Sequence, residues 1–541
     1  MNQPPSADLI VMNARVWTGD PGQPTAEAFA VRGGRFAQVG KASTIQRWQG
    51  PGTMIVDAHE ARITPGLIDA HVHFLGGGLQ LSRVDLRQAH DRESFTAAVA
   101  EQARRLPPGE WILGGRWSTE SWAGRPLPSR DWIDAVTAEH PTLLSRMDGH
   151  SGLANSLALR LAGIDASGPP DPVGGTIDRD PVTGEPTGIL REAALELVRR
   201  LVPPDSPALQ RAAVAAACAA ANRHGITCVH TMSAWEETAA LAAARDEGRL
   251  TVRIRFYVSE EDWLPWLDAA GRFPSDEILR VVGFKQFMDG SLGSRTALMA
   301  APYRDNPPEK PGWRGLATAA AQDADRLLRM CRAADDRGFG LAIHAIGDQA
   351  NHDLLGLYES VMETNGPRRT RILRIEHAQH LLPEDLGRFA RMGVIASMQP
   401  LHKADDARYA EQALGADRCR TSYAFRGLVE QGTTLAFGSD WPVVSLNPFA
   451  GMKAAVTGLS LEGRRFVPEQ NLTPAEALRG YTTGAAAAAG DAERLGRVSE
   501  GFLADFTILE DDPLTLEPER LDEIRVRSTW VGGRQVWPEP P

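Results

Sequence analysis

Between residues 66 and 443 the chain repeats one pattern, a short apolar run followed by an amphipathic or alanine-rich stretch. The runs are GLIDAHVH (66–73), GITCVHTM (225–232), VRIRFYV (252–258), RVVGFKQFMDG (280–290), GLAIHAIG (340–347), RILRIEHAQ (371–379), VIASMQP (394–400) and TTLAFGSDWPV (433–443). Stretches such as DADRLLRMCRAADDRG and PEDLGRFARMG separate most of them. Strands apolar on both faces belong to parallel sheets covered by helices. Eight of them alternating with helices predict an α/β fold, a closed (β/α)8 barrel of the TIM type, over residues 65–490.

Two regions lie outside that count. Residues 1–64 and 491–541 read as short strands and turns, with Gly33-Gly34 and Gly532-Gly533 as hairpin signals. Together they predict one small composite β-sandwich domain. Residues 76–210 are rich in Trp, Pro, Gly and Arg and interrupt the barrel after its first strand. They read as an insertion covering the strand C-termini, where substrate-shaping loops of such barrels lie. TLLSRMDGH (142–150), inside it, has the look of a barrel strand as well.

Bulk properties narrow the function classes. The formal net charge is −11, which gives no electrostatic footprint for nucleic acid. No apolar stretch reaches membrane-spanning length. The opening residues lack a basic segment followed by an apolar one, and the four cysteines show no paired spacing, so the expected compartment is the reducing cytoplasm. The expected partner is a small-molecule substrate, and a homodimer is compatible with the sequence.

In GLIDAHVHF the two histidines His71 and His73 are two apart, so a strand sends both imidazoles to one face. Alone, that spacing also suits any strand with two histidines. However, Lys285, His344, His377 and Asp440 fall near the C-terminal ends of runs four, five, six and eight. That end is where barrel active sites are built, and buried ionisable groups converging there need partners, which a metal supplies.

The ordered series TPGLIDAHVHF, FKQFMDGSLGSRTA, AIHAIGD, RIEHAQ and FGSDWPV resembles the amidohydrolase superfamily. The DGSLGSRTA form resembles amidohydrolase family 3, which includes N-substituted formamide deformylases. The resemblance spans nearly the whole chain. It implies that His71 and His73 bind the more buried of two metals, that His344 and His377 bind the second, and that Lys285, N-carboxylated, bridges them. It implies that Asp440 binds metal or the attacking water and shuttles its proton, acting as general base and then acid.

The implied cofactor is a divalent metal, zinc by default for imidazole and carboxylate ligands, one or two per chain. The implied reaction is hydrolysis of a C–N bond in an amide, N-formyl amine or related acyl-N compound. Attack on a lactone, carbamate or urea-like bond uses the same chemistry, and a catalytically degenerate binding or regulatory protein stays as the alternative class.

Other residues keep two readings. Lys285 in GFKQF also suits a salt-bridged core position. His150 is placed to cap a loop or to touch substrate, and Arg295 to clamp an acidic substrate or to brace its own loop. Trp117, Trp122 and Trp441 suit a pocket wall or plain core. Asp348 is a candidate to orient His344. His230 reads as core, and His59, His90, His140, His224, His352, His380 and His402 give no case for function.

Overall fold

The computed structural model describes residues 6–119, 122, 124, 126–146, 151–368 and 370–538. It divides into two compact units, residues 1–74 with 217–541, and residues 75–216.

The first unit contains an eight-stranded parallel barrel sheet. Its strands are, in chain order, Leu67–Val72, Ile226–Ser233, Arg253–Ser259, Leu279–Phe287, Gly340–Ala345, Leu373–His377, Ile395–Met398 and Leu435–Phe437. Each of the eight apolar runs supplies one strand, and neighbours in sequence are neighbours in the sheet. Ile226–Ser233 is buried at every position, which is why its apolar run lacks alternation. The ends of the sheet meet where Asp440 N donates to His71 O at 2.7 Å and His73 N to Trp441 O at 2.8 Å. Amphipathic helices cover the outside. In Ala324–Asp336, capped by the Asp323 carboxylate on Arg326 N, the buried side chains Leu327, Met330, Cys331 and Ala334 share one face.

Both chain ends contribute to one sandwich. A six-stranded sheet joins Arg15–Trp17, Thr25–Ala26 and Arg62–Pro65 to Phe506–Leu509, Val526–Val531 and Arg534–Trp537. A four-stranded sheet is built from Leu9–Met12, Ala28–Arg32, Arg35–Gly40 and Met54–Asp57. Phe29, Phe36, Phe506 and Trp530 pack in their shared core. Gly33-Gly34 and Gly532-Gly533 turn the two hairpins, all four with positive φ, which glycine adopts without strain. Arg253 ties barrel to sandwich: its guanidinium bonds both oxygens of Asp505 at 2.7 and 2.8 Å.

The second unit has its own six-stranded mixed sheet and core. TLLSRMDGH enters here: Thr142–Arg146 pairs with Ile112–Trp117 and Ser151–Ala154 and is not a barrel strand. Its apolar run looks like a barrel strand because Leu143 and Leu144, on opposite faces, each pack into a buried core of this unit. No helix among the described residues is long and apolar enough to cross a membrane.

Deep in the barrel unit, Arg255 is fully buried against Asp491, which also receives Arg280 at 2.7 Å. Removing one partner of a buried pair leaves a charge without compensation. Asp491→Ala is therefore expected to lower unfolding stability by about 3–5 kcal/mol in urea titration. A loss under about 1 kcal/mol would mean that water or backbone carbonyls already satisfy Arg255.

Candidate metal centre

Five strands bring chemistry to one end of the barrel. His71 lies in the first strand and His73 one residue past its end. Lys285 lies in the fourth, His344 in the fifth, and His377 closes the sixth. Asp440 stands three residues beyond the eighth, which ends at Phe437. His377 and Asp440 have φ of 73° and 59°, a left-handed backbone that costs a non-glycine residue about 1–3 kcal/mol and clusters at functional sites.

Asp440 is the hub. Its Oδ1 is 3.2 Å from His73 Nε2 and 3.6 Å from His71 Nε2, and its Oδ2 is 4.0 Å from His402 Nε2. The His377 ring centre is 4.4 Å from that of His344 and 5.2 Å from that of His71, and the ring stacks on His402 at 6.0 Å. Two triads, His71–His73–Asp440 and His377–His402–Asp440, each bring three ligand atoms within 4.8 Å of one another.

Three of the rings are oriented by a hydrogen bond from one ring nitrogen. His71 Nδ1 meets Glu376 Oε2 at 2.5 Å, His73 Nδ1 meets Met232 O at 2.8 Å, and His344 Nε2 meets Gly290 O at 3.0 Å. A carboxylate or carbonyl behind a ligating imidazole fixes its tautomer and aim. Glu376 is itself held by Arg374, at 2.7 and 3.1 Å, and by Ser397 Oγ at 2.8 Å. Burial opposes its charge, but Arg374 and His71 keep its pKa well below the ordinary carboxylate value.

The donor set fits a divalent cation. Lys285 Nζ, His377 Nδ1, His402 Nε2 and Asp440 Oδ1 are all buried without a hydrogen-bond partner. Such atoms are rare in native proteins, and four in one pocket call for a shared partner. Burial lowers the pKa of His71, brings His344 to about 3 and holds His377 well below the usual value, which keeps them in the neutral form that ligation requires. His73 differs: burial pulls it down, but the Asp440 carboxylate outweighs that and raises it. For Asp440 burial works against ionisation, yet the imidazoles of His71, His73, His377 and His402 hold its pKa well below the ordinary value. Lys285 Nζ lies 4.6 Å from the centre of the Phe287 ring, and burial brings its pKa down to about 8.

The remaining sequence candidates lie elsewhere or serve the scaffold. Arg295 grips Asp305, with Nε to Oδ1 at 3.0 Å and Nη2 to Oδ2 at 2.5 Å, so it braces its own loop. Trp117 is a core residue of the insertion unit, 1% exposed, with Nε1 donating to Leu144 O at 3.0 Å. Trp122 stacks on Trp132 in the same core. Trp441 is buried, and its carbonyl receives His73 N. Asp348 accepts from Ala300 N at 2.7 Å and does not orient His344; the Gly290 carbonyl does. His230 accepts from Arg374 at 2.8 Å as a core residue. His150 lies outside the described residues.

Two functional residues escaped the sequence reading. His402, given no role there, reaches the centre from the short helix Pro400–Asp406 that follows strand seven. Glu376 stands beside His377, and strand alternation would send the two to opposite faces. The left-handed turn at His377 brings both into contact with the same centre. The signal available for Glu376 was a carboxylate two residues after Arg374, a spacing that puts both on one face of the strand.

A model of the amidohydrolase family, the family 3 form that the motifs resemble, matches residues 54–537. The chain belongs to this family. This amidohydrolase is 39% identical to the Arabidopsis thaliana protein LONG AFTER FAR-RED 3, over 98% of this chain and 92% of that one. It is 27% identical to the N-substituted formamide deformylase of Arthrobacter pascens, over 97% of each. Among solved structures, a metal-dependent hydrolase described as uncharacterized, from Pyrococcus horikoshii OT3, superposes with a TM-score of 0.78 at 27% identity, covering 94% of this chain and 99% of that one. With the donor set above, these likenesses support a metal-dependent hydrolase that uses a divalent cation.

If Glu376 orients His71, Glu376→Gln will weaken metal affinity by about 10–100-fold in chelator competition. An unchanged affinity with a lowered melting temperature would reduce Glu376 to the partner of Arg374.

Proposed function

We propose that this amidohydrolase cleaves the C–N bond of an acylated amine, an N-formyl amine or a related amide. The observation that carries the reading is Asp440, a buried carboxylate among four imidazoles with Oδ1 lacking a hydrogen-bond partner. Similarity along nearly the full length to an N-substituted formamide deformylase supports the choice of bond.

His71, His73, His344, His377 and Asp440 would hold the cation, with His402 completing the second triad. Zinc suits neutral imidazole and carboxylate donors. When bound, the cation supplies the Lewis acidity that polarises the acyl oxygen and eases deprotonation of water. Asp440 takes the proton of the attacking water and returns it to the departing nitrogen, so one carboxylate serves as base and then acid. The His71, His73 and His344 rings keep their aim through this step because each is bonded from behind.

Lys285 enters as an N-carboxylated residue. Its amine, desolvated and without a partner, sits as the neutral nucleophile for part of the time near neutral pH. Addition to carbon dioxide forms an N–C bond and releases one proton, leaving a carboxylate whose two oxygens would join the donor set for the cation. Lys285→Ala should then lower the metal content from two ions per chain to one by elemental mass spectrometry. The intact wild-type mass in bicarbonate should exceed that of bicarbonate-free protein by one CO2. One ion per chain in the wild type would instead return Lys285 to a core role.

The decisive test is a screen of N-formyl and N-acyl amines with metal-loaded protein, followed by Asp440→Asn. The variant is expected to keep its metal and lose about 10²–10⁴-fold in turnover. Near-normal turnover in Asp440→Asn would end its assignment as base.

A further inference from the structure

The stretch DGSLGSRTA follows the fourth barrel strand and opens with Asp289, a carboxylate only 2% exposed. Three backbone N–H groups take it up. Its Oδ2 accepts from Leu298 N and from Gly347 N, both at 2.8 Å, and its Oδ1 accepts from Ile346 N at 3.0 Å. Leu298 lies on the return of the loop that Asp289 opens. Ile346 and Gly347 follow His344 on the turn out of the fifth strand. One buried carboxylate thus joins three segments, and the N–H donors offset the cost of its burial.

The same short stretch holds His344 by both its backbone and its ring. Met288 N donates to His344 O at 2.8 Å, and His344 Nε2 donates to Gly290 O at 3.0 Å. Between these two bonds, Asp289 Oδ1 lies 3.5 Å from the same Nε2. With the proton on Nε2, Nδ1 keeps the lone pair that a cation requires.

The packing leaves this arrangement no slack. A Cβ on Gly347 would lie 2.0 Å from Leu298 O, so the loop return and the turn touch backbone to backbone. The carbonyl behind the ring belongs to the residue next to Asp289, and the three N–H bonds therefore fix its position as well. A second carboxylate braces the same loop differently. Asp348 Oδ1 accepts from Ala300 N at 2.7 Å without a bond to the His344 ring.

We propose that Asp289 is the positioning residue of His344. It holds the Gly290 carbonyl behind the ring and sets the direction in which Nδ1 meets a cation. The head of the DGSLGSRTA stretch is then a clamp on a metal ligand. This role rests on His344 as a ligand, and not on which bond the enzyme cleaves.

Chelator competition with zinc on the full-length protein tests this, beginning with the wild type. Asp289→Asn keeps the side chain's size but turns an amide group toward at least one backbone N–H donor. It should weaken zinc binding by about 10–100-fold. Asp348→Asn is the control for bracing of the loop alone. It should lower the melting temperature of the cation-free protein and leave zinc affinity unchanged. Gly290→Ala decides the matter if Asp289→Asn does not fold. Its Cβ would lie 2.7 Å from that of Thr296, which displaces the carbonyl while Asp289 stays intact, and zinc binding should weaken as well. Unchanged affinity in the folded variant, or an equal loss in Asp348→Asn, overturns the proposal. A wild type that binds no zinc overturns the metal centre and this role together, and shows it before any variant is made.

Discussion

The Glu376 carboxylate is the interaction on which the metal end of the barrel depends. It is fully buried between the Arg374 guanidinium and the His71 imidazole. A carboxylate in that position is tolerable only because its oxygens meet charged or hydroxyl donors, and each donor is used again. Arg374 also bonds Ala70 O at 2.6 Å, in the strand that carries His71, and Ser397 Oγ at 2.8 Å, in the neighbouring seventh strand. One charge network therefore sets the spacing of strands one, six and seven and the direction of a ligand ring. That support is electrostatic and buried.

A second constraint acts at the seam between the first and last strands. Gly438 approaches so closely that a Cβ there would lie 2.5 Å from His71 N. Asp69, whose Oδ1 accepts from His71 N at 3.2 Å and Ser439 N at 2.9 Å, staples the two strands, and burial pushes its pKa up to about 7. The left-handed backbone at Asp440 then directs its carboxylate back over His71 and His73. Strain at one residue and a missing side chain at another are both spent on a single placement.

These two constraints explain what could be read in the sequence and what could not. The eight barrel strands were legible because burial on both faces leaves unbroken apolar runs. The His71/His73 pair was legible because alternation along a strand is a local rule. Thr142–Arg146 misled because an apolar run does not say which sheet it joins. His402 was invisible because its position depends on how the helix starting at Pro400 leaves the seventh strand. Glu376 was hidden by the alternation rule itself, which fails where His377 turns left-handed. Arg295 and the tryptophans were ambiguous because bracing and binding ask for the same side chains.

If Lys285 is N-carboxylated as proposed, the charge balance of the pocket ties the lysine to the cation. Arg374 cancels Glu376, and burial keeps His71, His344 and His377 neutral. What remains is Asp440 against Lys285. With a free ammonium the pocket is neutral overall, which leaves little to retain two dications against their hydration. With Lys285 carboxylated it carries two negative charges, and two dications then leave a net positive field at the mouth. Such a field favours the oxyanion that develops when water adds to an acyl carbon. In this reading, conversion of one buried amine changes the pocket from indifferent to cation-binding, and the burial of the Lys285 amine without a hydrogen-bond partner is what makes that conversion available.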